Sequence, residues 1–385
     1  MAAIRVFHLI TGLEVGGAER TLLQVLPRLG GERFEHSVYS LTSTGPVGRT
    51  LRDMGIPVRA LGFRASRAPL GALRLLRALR RERPDILHAH MTHANIAARL
   101  SSRLVRVPIV ICSERNSGAW KSRRLVRFER AIAGWADWYT AVSQSVADFL
   151  VEQQNVPHDR VSVIRNGVRL VPPLSAEQRA AVRRGLAVRE GERLILSVGR
   201  VVPQKGYEHL IRAIPHVLKH EPSARFYVVG DVSRRKYADY HALLSELAAE
   251  LNVSDRLEFL GVRDDVPILL GSADLFVMSS LWEGLPNALL EAMSAGVPAV
   301  TTDVDGAGEV GRMTTSAMLV PPRDPTALAQ AILRLLGGPE EARRRAEAGR
   351  ALVRTKFMWE ATAEAIRNLY EKLLRARYDK PSAAR

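Results

Sequence analysis

The sequence predicts two doubly wound α/β domains in tandem, on three observations. Thirteen short apolar or β-branched runs alternate with longer segments of helical character along the chain. Strands separated in this way by helices pair in parallel, because a parallel partner needs a crossover connection. The series breaks once, at NGVRLVPPLSAEQ, where Gly167 and the Pro172–Pro173 pair punctuate it. The length of 385 residues exceeds one ordinary domain, and 46% apolar content suffices for real cores.

In the first half the strand candidates are IRVFHLI (4–10), HSVYSL (36–41), PVRAL (57–61), PDILHAH (84–90), PIVICS (108–113), WYTAVS (138–143) and VSVI (161–164). The second half offers RLILSVG (193–199), RFYVVGD (225–231), RLEFLG (256–261), DLFVMSS (274–280), PAVTTD (298–303) and AMLVP (317–321). Continuous apolar runs of this kind suit strands buried on both faces. The expected domains are residues 1–168 and 169–356. A final segment, 357–385, comprises a helix, FMWEATAEAIRNLYEKLL, and a frayed polar tail, RARYDKPSAAR.

Composition excludes several classes. The single cysteine, Cys112, rules out an intrachain disulfide framework and suits a reducing cytosol. The opening MAAIRVFHLITGLEVGGAER has too short an apolar run for a signal peptide or a membrane span. The expected location is therefore cytoplasmic, at most peripheral on the inner face of the cytoplasmic membrane. The net charge of +16 is uneven: residues 1–168 hold 25 Lys and Arg against 13 Asp and Glu. Leucines 70, 73, 76 and 79 alternate with Arg74, Arg77, Arg80, Arg81 and Arg83 within 63–84, the spacing of an amphipathic helix with a basic face. A second basic stretch holds Lys121, Arg123, Arg124, Arg127 and Arg130. Two readings stay open for these stretches, a solvated surface and attraction to an anionic membrane or acidic acceptor. Nucleic acid is disfavoured, since the stretches lack interleaved aromatics and no helix-turn-helix, zinc or RNP pattern occurs.

Ligands of open α/β sheets bind beyond the carboxyl ends of strands, so the informative loops follow strands. After the first strand, TGLEVGGAER lacks the G-x-G-x-x-G fingerprint, which disfavours a nicotinamide enzyme. Gly16 and Gly17 still let backbone N–H groups approach a phosphate, although taken alone a plain tight turn is the default reading of them. In RVVPQKG, Arg200 and Lys205 place two cations at a strand mouth, a fork of donors and a mobile point charge suited to a diphosphate. In SLWEGLPNALLEAMSAGVP, Pro286 marks the first turn of a helix, with Glu283 before it and Glu291 more than one turn inside. Carboxylates up to ~12 Å apart are too distant for a paired acid and base, but match the length of a nucleotide sugar. Inside an apolar helix Glu291 needs hydroxyl or N–H partners, and ribose hydroxyls would serve. His88, His90 and His93 invite a metal reading, but the spacing is loose, no Cys lies nearby and a carboxylate partner is not evident; no metal is expected.

GGAER (16–20), HAH (88–90), NGV (166–168), VGRVVPQKG (198–206), VVGD (228–231), SSLWEGLPNALLEAMSAGVPAV (279–300) and TTDVDGAGE (301–309) together resemble glycosyltransferase family 4, in order, over about residues 4–375. The resemblance implies the GT-B fold, two Rossmann-like domains facing across a cleft, and a retaining hexosyltransferase with no required metal or other cofactor. The implied donor is a nucleotide-diphosphate sugar, foremost a UDP-sugar. The implied acceptor is a glycan or lipid-linked glycan of cell-surface polysaccharide biosynthesis. Arg200 and Lys205 would neutralise the diphosphate, and Glu283 would meet the donor sugar beside the N–H groups of Gly284 and Leu285. Asn287 belongs to the same donor segment. Glu291 would hold the ribose, Val262 and Arg263 would border the base, and Gly17 would close over the diphosphate. His90, Glu114, Arg115 and Asn116 would lie on the acceptor side, and the helix near 357–374 would cross back to the first domain.

The sequence departs from the family pattern at three places. SERNSGAW replaces a loop that often carries His, Asp305–Gly306 stands where Gly-Gly is common, and Arg169 follows NGV in place of Asp. The alternatives are an inactive nucleotide-sugar-binding partner of a glycan assembly complex and a GT-B-fold nucleotide-sugar epimerase.

Overall fold

The structure is a computed structural model that describes residues 3–14, 16–31, 33–63, 68–232 and 238–378. Arg64 and Arg67 of the basic segment, and tail residues 379–385, lie outside the described residues. Two compact units emerge, Met1–Gly167 with Trp359–Arg385, and Val168–Met358.

The first unit holds β1 (Ile4–Ile10), α1 (Gly17–Leu29), β2 (Phe34–Ser40), α2 (Gly45–Asp53), β3 (Val58–Ala60), α3 (Ala68–Glu82), β4 (Ile86–His90) and α4 (Thr92–Val105). It continues through β5 (Ile109–Glu114), α5 (Arg123–Ala131), β6 (Trp138–Ala141), α6 (Gln144–Glu152) and β7 (Val161–Val163). Its parallel sheet runs β3-β2-β1-β4-β5-β6-β7. The second unit contains α7 (Ala176–Gly185), β8 (Arg193–Val198), α8 (Tyr207–Leu218), β9 (Ala224–Val229), α9 (Ala238–Glu250), β10 (Leu257–Gly261), α10 (Val266–Ser272) and β11 (Leu275–Met278). Next come α11 (Asn287–Ala295), β12 (Ala299–Thr302), α12 (Asp305–Met313), β13 (Ala317–Val320), α13 (Pro325–Gly337) and α14 (Pro339–Lys356). The second sheet is parallel in the order β10-β9-β8-β11-β12-β13. α15 (Trp359–Tyr378) returns to the first unit.

Each of the thirteen apolar runs forms a strand, and both sheets are doubly wound. Strand order reverses at β1/β4 in the first sheet and at β8/β11 in the second. Crossovers leave these pairs in opposite directions, so a crevice opens at their carboxyl ends. The loops after β1, β4, β8 and β11 carry Gly17, the β4–α4 junction, Lys205 and Glu283 respectively. Topology thus places the predicted residues where such sheets bind ligands.

In the first unit α1 and α15 pack on one face of the sheet, burying Leu22, Val25 and Leu26 with Ile366, Leu369 and Tyr370. On the other side α4 packs against α3 and the 3-10 turn Ala133–Trp135. Two expectations need correction. α3 buries Leu75, Ala78 and Leu79 against α4 and turns Leu70 and Leu73 outward, because helical spacing alone allowed either face to be the inner one. α15 stays helical through Tyr378, so the tail is not frayed from Arg375.

Candidate functional site

The second unit builds its site from the ends of β8 and β11. Beyond β8 the chain makes a 3-10 turn, Pro203–Lys205, and reverses at Gly206, whose φ of +59° is left-handed. A Cβ at Gly206 would collide with the Ser279 carbonyl oxygen, so only glycine lets the turn approach the β11 loop this closely. The approach brings Lys205 Nζ within 2.5 Å of Glu283 Oε1. Both side chains are largely enclosed, 14% and 8% exposed, so the pair is screened less than a surface salt bridge.

Glu283 is held on three sides. Ser280 Oγ donates to its Oε1 at 2.7 Å, and its own N–H donates to Asp305 Oδ2 at 3.1 Å. Thr302 Oγ1 in turn donates to the Ser280 carbonyl at 2.6 Å. Both side-chain contacts fall on Oε1, and no described residue donates to Oε2. Asp305 occupies a position with φ of +36°, where a glycine is unstrained. Its carboxylate supplies an acceptor for the Glu283 amide that glycine lacks, which accounts physically for the departure at 305. Gly306 packs on the Gly284 carbonyl with no room for a Cβ. Around this centre Asn287 and Glu291 are half-buried on α11, Arg200 is exposed, and Gly284 and Leu285 are buried. Glu291 is therefore not interior, since Leu289, Leu290 and Met293 form the inward face of α11. Val262 is 71% exposed, and the Arg263 fork is held by Asp265 at 2.7 and 2.8 Å.

In the first unit Gly16 caps α1 and Gly17 opens it. Thr21, one turn on, donates to the Gly17 carbonyl at 2.8 Å, and Arg115 Nη1 donates to Thr21 Oγ1 at 3.1 Å and Asn166 Oδ1 at 2.7 Å. Burial brings the Arg115 guanidinium down to about 10, against the opposing pull of Glu19 and Glu114. The SERN loop, the GGAER helix and the NGV asparagine thus form one hydrogen-bonded group, and Asn116 is half-buried beside it in sequence.

The side chains of Glu114 and His90 are enclosed, and His90 lines a small cavity with His8, His88, Ser113 and Arg115. Glu114 accepts from Lys121 Nζ at 2.8 Å, and Lys121 also pairs with Glu129 at 2.9 Å; Glu129 meets Arg99 at 3.4 Å. Lys121 is therefore an interior charge rather than part of the basic surface, because two buried carboxylates require it. Replacing Lys121 with methionine is expected to cost about 3–5 kcal/mol of stability, because Glu114 loses its cation while Glu129 keeps Arg99. Urea denaturation checks this, and adding Glu114→Leu is expected to recover part of the loss.

His90 belongs to a buried group that sequence order does not reveal. β1 pairs His8 with His88 in register and β2 brings His36 opposite Val6, so four imidazoles share the face under α1 and α15. His8 Nδ1 lies 3.2 Å from His90 Nε2, and His8 Nε2 lies 3.0 Å from His36 Nδ1. His88 joins Tyr370 OH at 2.6 Å and Ser113 Oγ at 2.7 Å. Among the described residues His8, His88 and His90 are the one group spaced to hold a metal ion, but His8 and His88 have both ring nitrogens engaged within the protein. His93 sits on α4, away from them and exposed.

Two family models match the chain, Glycosyltransferase Family 4 over residues 15–171 and Glycosyl transferases group 1 over residues 178–352. The glycogen synthase of Mycobacterium tuberculosis is 30% identical over 329 residues, covering 83% of this chain and 76% of that protein. The chain belongs to glycosyltransferase family 4. Another bacterial relative is the UDP-Gal:alpha-D-GlcNAc-diphosphoundecaprenol alpha-1,3-galactosyltransferase of Escherichia coli, 25% identical over 317 residues, with 79% of this chain and 80% of that one covered. Among solved structures, Anabaena HepE in complex with UDP-glucose aligns with a TM-score of 0.86 at 22% identity, over 96% of this chain and 100% of that one. The fold is GT-B, and the chain is a glycosyltransferase.

Within this family-4 chain, the structure joins Lys205 directly to Glu283, and Arg115 to the helix that Gly17 opens. Sequence reasoning missed Ser280, Thr302, Asp305, Thr21 and Asn166 as positioning groups. Asp305 carried a signal as a carboxylate at a place where glycine is common, and Asn166, Ser280 and Thr302 stood within the motifs of the resemblance without a role of their own.

Proposed function

We propose that this chain is a retaining hexosyltransferase moving a sugar from a UDP-sugar to a glycan or lipid-linked acceptor in cell-surface polysaccharide biosynthesis. The observation that carries the proposal is the enclosed Lys205–Glu283 pair at the β8/β11 switch point, with no described residue donating to Glu283 Oε2. Cleavage of the bond between anomeric carbon and phosphate builds negative charge on the leaving diphosphate and positive charge on the sugar. Lys205 and Arg200 oppose the first charge in a site where cations act strongly. Glu283, fixed by Ser280 and Asp305, offers Oε2 to a donor hydroxyl. Retention fits attack from the leaving-group face, the departing phosphate taking the acceptor's proton.

Glu291 holds the ribose, Asn287, Gly284 and Leu285 complete the sugar side, and the open Val262 surface with Arg263 borders the base. On the first unit, Gly17 offers its N–H to phosphate, while Arg115 and Asn116 serve the acceptor side. No metal enters the reaction. The UDP assignment rests on the UDP-Gal named for the Escherichia coli relative and the UDP-glucose of the Anabaena complex. A lipid-linked acceptor rests on the former alone, together with the basic first domain. Its setting is the inner face of the cytoplasmic membrane; among the described residues no helix is long and apolar enough to cross one.

Thermal stabilisation by UDP, GDP and ADP tests the donor class. A nucleotide at a hundred times its Kd stabilises by about 2.7 kcal/mol. UDP is expected to shift the wild type, and Glu291→Gln much less. A preference for GDP or ADP overturns the UDP assignment, and no shift from any nucleotide overturns the enzyme reading.

A further inference from the structure

The first unit carries an outward face that the transfer chemistry does not use. Of the twelve large hydrophobic side chains exposed among the described residues, seven lie on α3, α4 and α5 or in the loop before α5 and the turn after it. α4 turns Leu100 and Leu104 to solvent, the latter 67% exposed. His93, Leu100 and Leu104 are spaced seven and four residues apart, one stripe of a helix running ~16 Å. Trp120 stacks on His93 at one end of the stripe, ring centroids 6.5 Å apart. At the other end the Arg103 guanidinium lies 5.7 Å from the centre of the exposed Trp135 ring.

Neighbouring elements continue the pattern. α5 packs on the turn that carries Trp135 and exposes Phe128 between Arg124, Arg127 and Arg130. α3 packs on α4 and exposes Leu70 and Leu73 ahead of Arg77, Arg80 and Arg81. A clustered apolar surface of this kind marks an interaction site. The cores of protein–protein interfaces are depleted of charge, whereas here Arg103 lies against Trp135 and exposed arginines share the helices of Phe128 and of Leu70 and Leu73. That mixture is the chemistry of a bilayer interface, where tryptophan sits at headgroup depth and guanidinium forks meet phosphate. The domain's 25 basic against 13 acidic residues give the face a complementary anionic partner.

We propose that this face, centred on α4 rather than on the basic helix α3, docks the chain on an anionic lipid bilayer. Leu100, Leu104, Trp120, Phe128 and Trp135 enter the headgroup region, and the arginines of α3, α4 and α5 pair with lipid phosphates. The inference deepens the reading of a membrane-borne acceptor and rests on it for its purpose, but not for its test.

That test is co-sedimentation of the full chain with phosphatidylglycerol/phosphatidylcholine vesicles and with phosphatidylcholine alone, at low and moderate salt. Two variants accompany the wild type, Leu104→Ser with Trp135→Ala, and Arg124→Glu with Arg127→Glu. The wild type is expected to bind the anionic vesicles with a blue-shifted tryptophan emission, and each double variant at least about tenfold more weakly. Added salt is expected to release the wild type. Equal binding to neutral vesicles, no binding by the wild type, or variants that bind like the wild type each overturn the proposal. So does a wild-type dimer that the Leu104/Trp135 variant converts to monomer, since the stripe would then cover a second copy. A UDP thermal shift on the same samples shows that the variants are folded and judges the donor reading separately.

Discussion

Replacing Lys205 with alanine is expected to lower kcat at least about a hundredfold, the scale seen when one preorganised group facing developing charge is removed. The charge on the leaving diphosphate grows between ground state and transition state, so the loss should fall mainly on kcat and less on KM. Lys205→Arg keeps the charge but not the compact ammonium that fits beside Ser280 and Glu283, and should recover only part of the rate. The alanine variant also leaves Glu283, 8% exposed, without its cation. A double variant with Glu283→Gln separates the two effects. If Lys205 only neutralised Glu283, the double variant would turn over faster than Lys205→Ala; if both act on the donor, it is as slow or slower. Steady-state transfer from a labelled UDP-sugar, with urea denaturation of each variant, makes the comparison. Near-normal turnover by Lys205→Ala removes it from the chemistry.

Much of this site was legible because its signals are local. Lys205 sits between Pro203 and Gly206, a spacing that forces a turn at a strand mouth, and Glu283 stands just before a proline-led helix. The central strands β5 and β11, buried on both faces, write themselves as near-continuous apolar runs, and edge strands β3, β7 and β10 showed as short runs between helical segments. What stayed hidden depends on which strands become neighbours. Asp305 reaches Glu283 only because β12 lies beside β11, and Arg115 reaches Asn166 across 51 positions of sequence. Lys121 looked like one more surface cation until Glu114 and Glu129 enclosed it. The α3 leucines misled for a related reason. Leu70, Leu73, Leu76 and Leu79 satisfy a helical period as well as Leu75, Ala78 and Leu79 do, and only packing on α4 selects the second set.

Acidification is expected to destabilise the first unit steeply, with the histidine group as the cause. Burial lowers His36 to about 4 and His88 to about 3, with Arg115 adding to the effect on His88. His8 and His90 are held well below their ordinary value by burial first and then by their neighbouring histidines, with Arg115 also acting on His90. Tyr370 faces the group from α15 and stays a neutral phenol, since burial raises it too. In the unfolded chain these imidazoles titrate near 6.5. Above that pH both states hold neutral imidazole and the group places no pH-dependent load on folding. Below it the unfolded chain takes up protons that the folded chain refuses, so stability falls with pH until the folded values are reached, between about 4 and 3 for His36 and His88. Each histidine that stays neutral contributes a slope of about 1.4 kcal/mol per pH unit, or about 2 kcal/mol by pH 5. Four together approach the whole stability of an ordinary domain, roughly 5–15 kcal/mol. Hydrogen exchange of β1 and β4 amides between pH 8 and 5, corrected for intrinsic exchange, reads this for the first unit alone. His36→Gln, at the edge of the group, is expected to reduce the slope by about one proton. A pH-independent opening free energy for those strands would mean that the cluster accepts protons without unfolding, through rearrangement of the His36–His8–His90 chain.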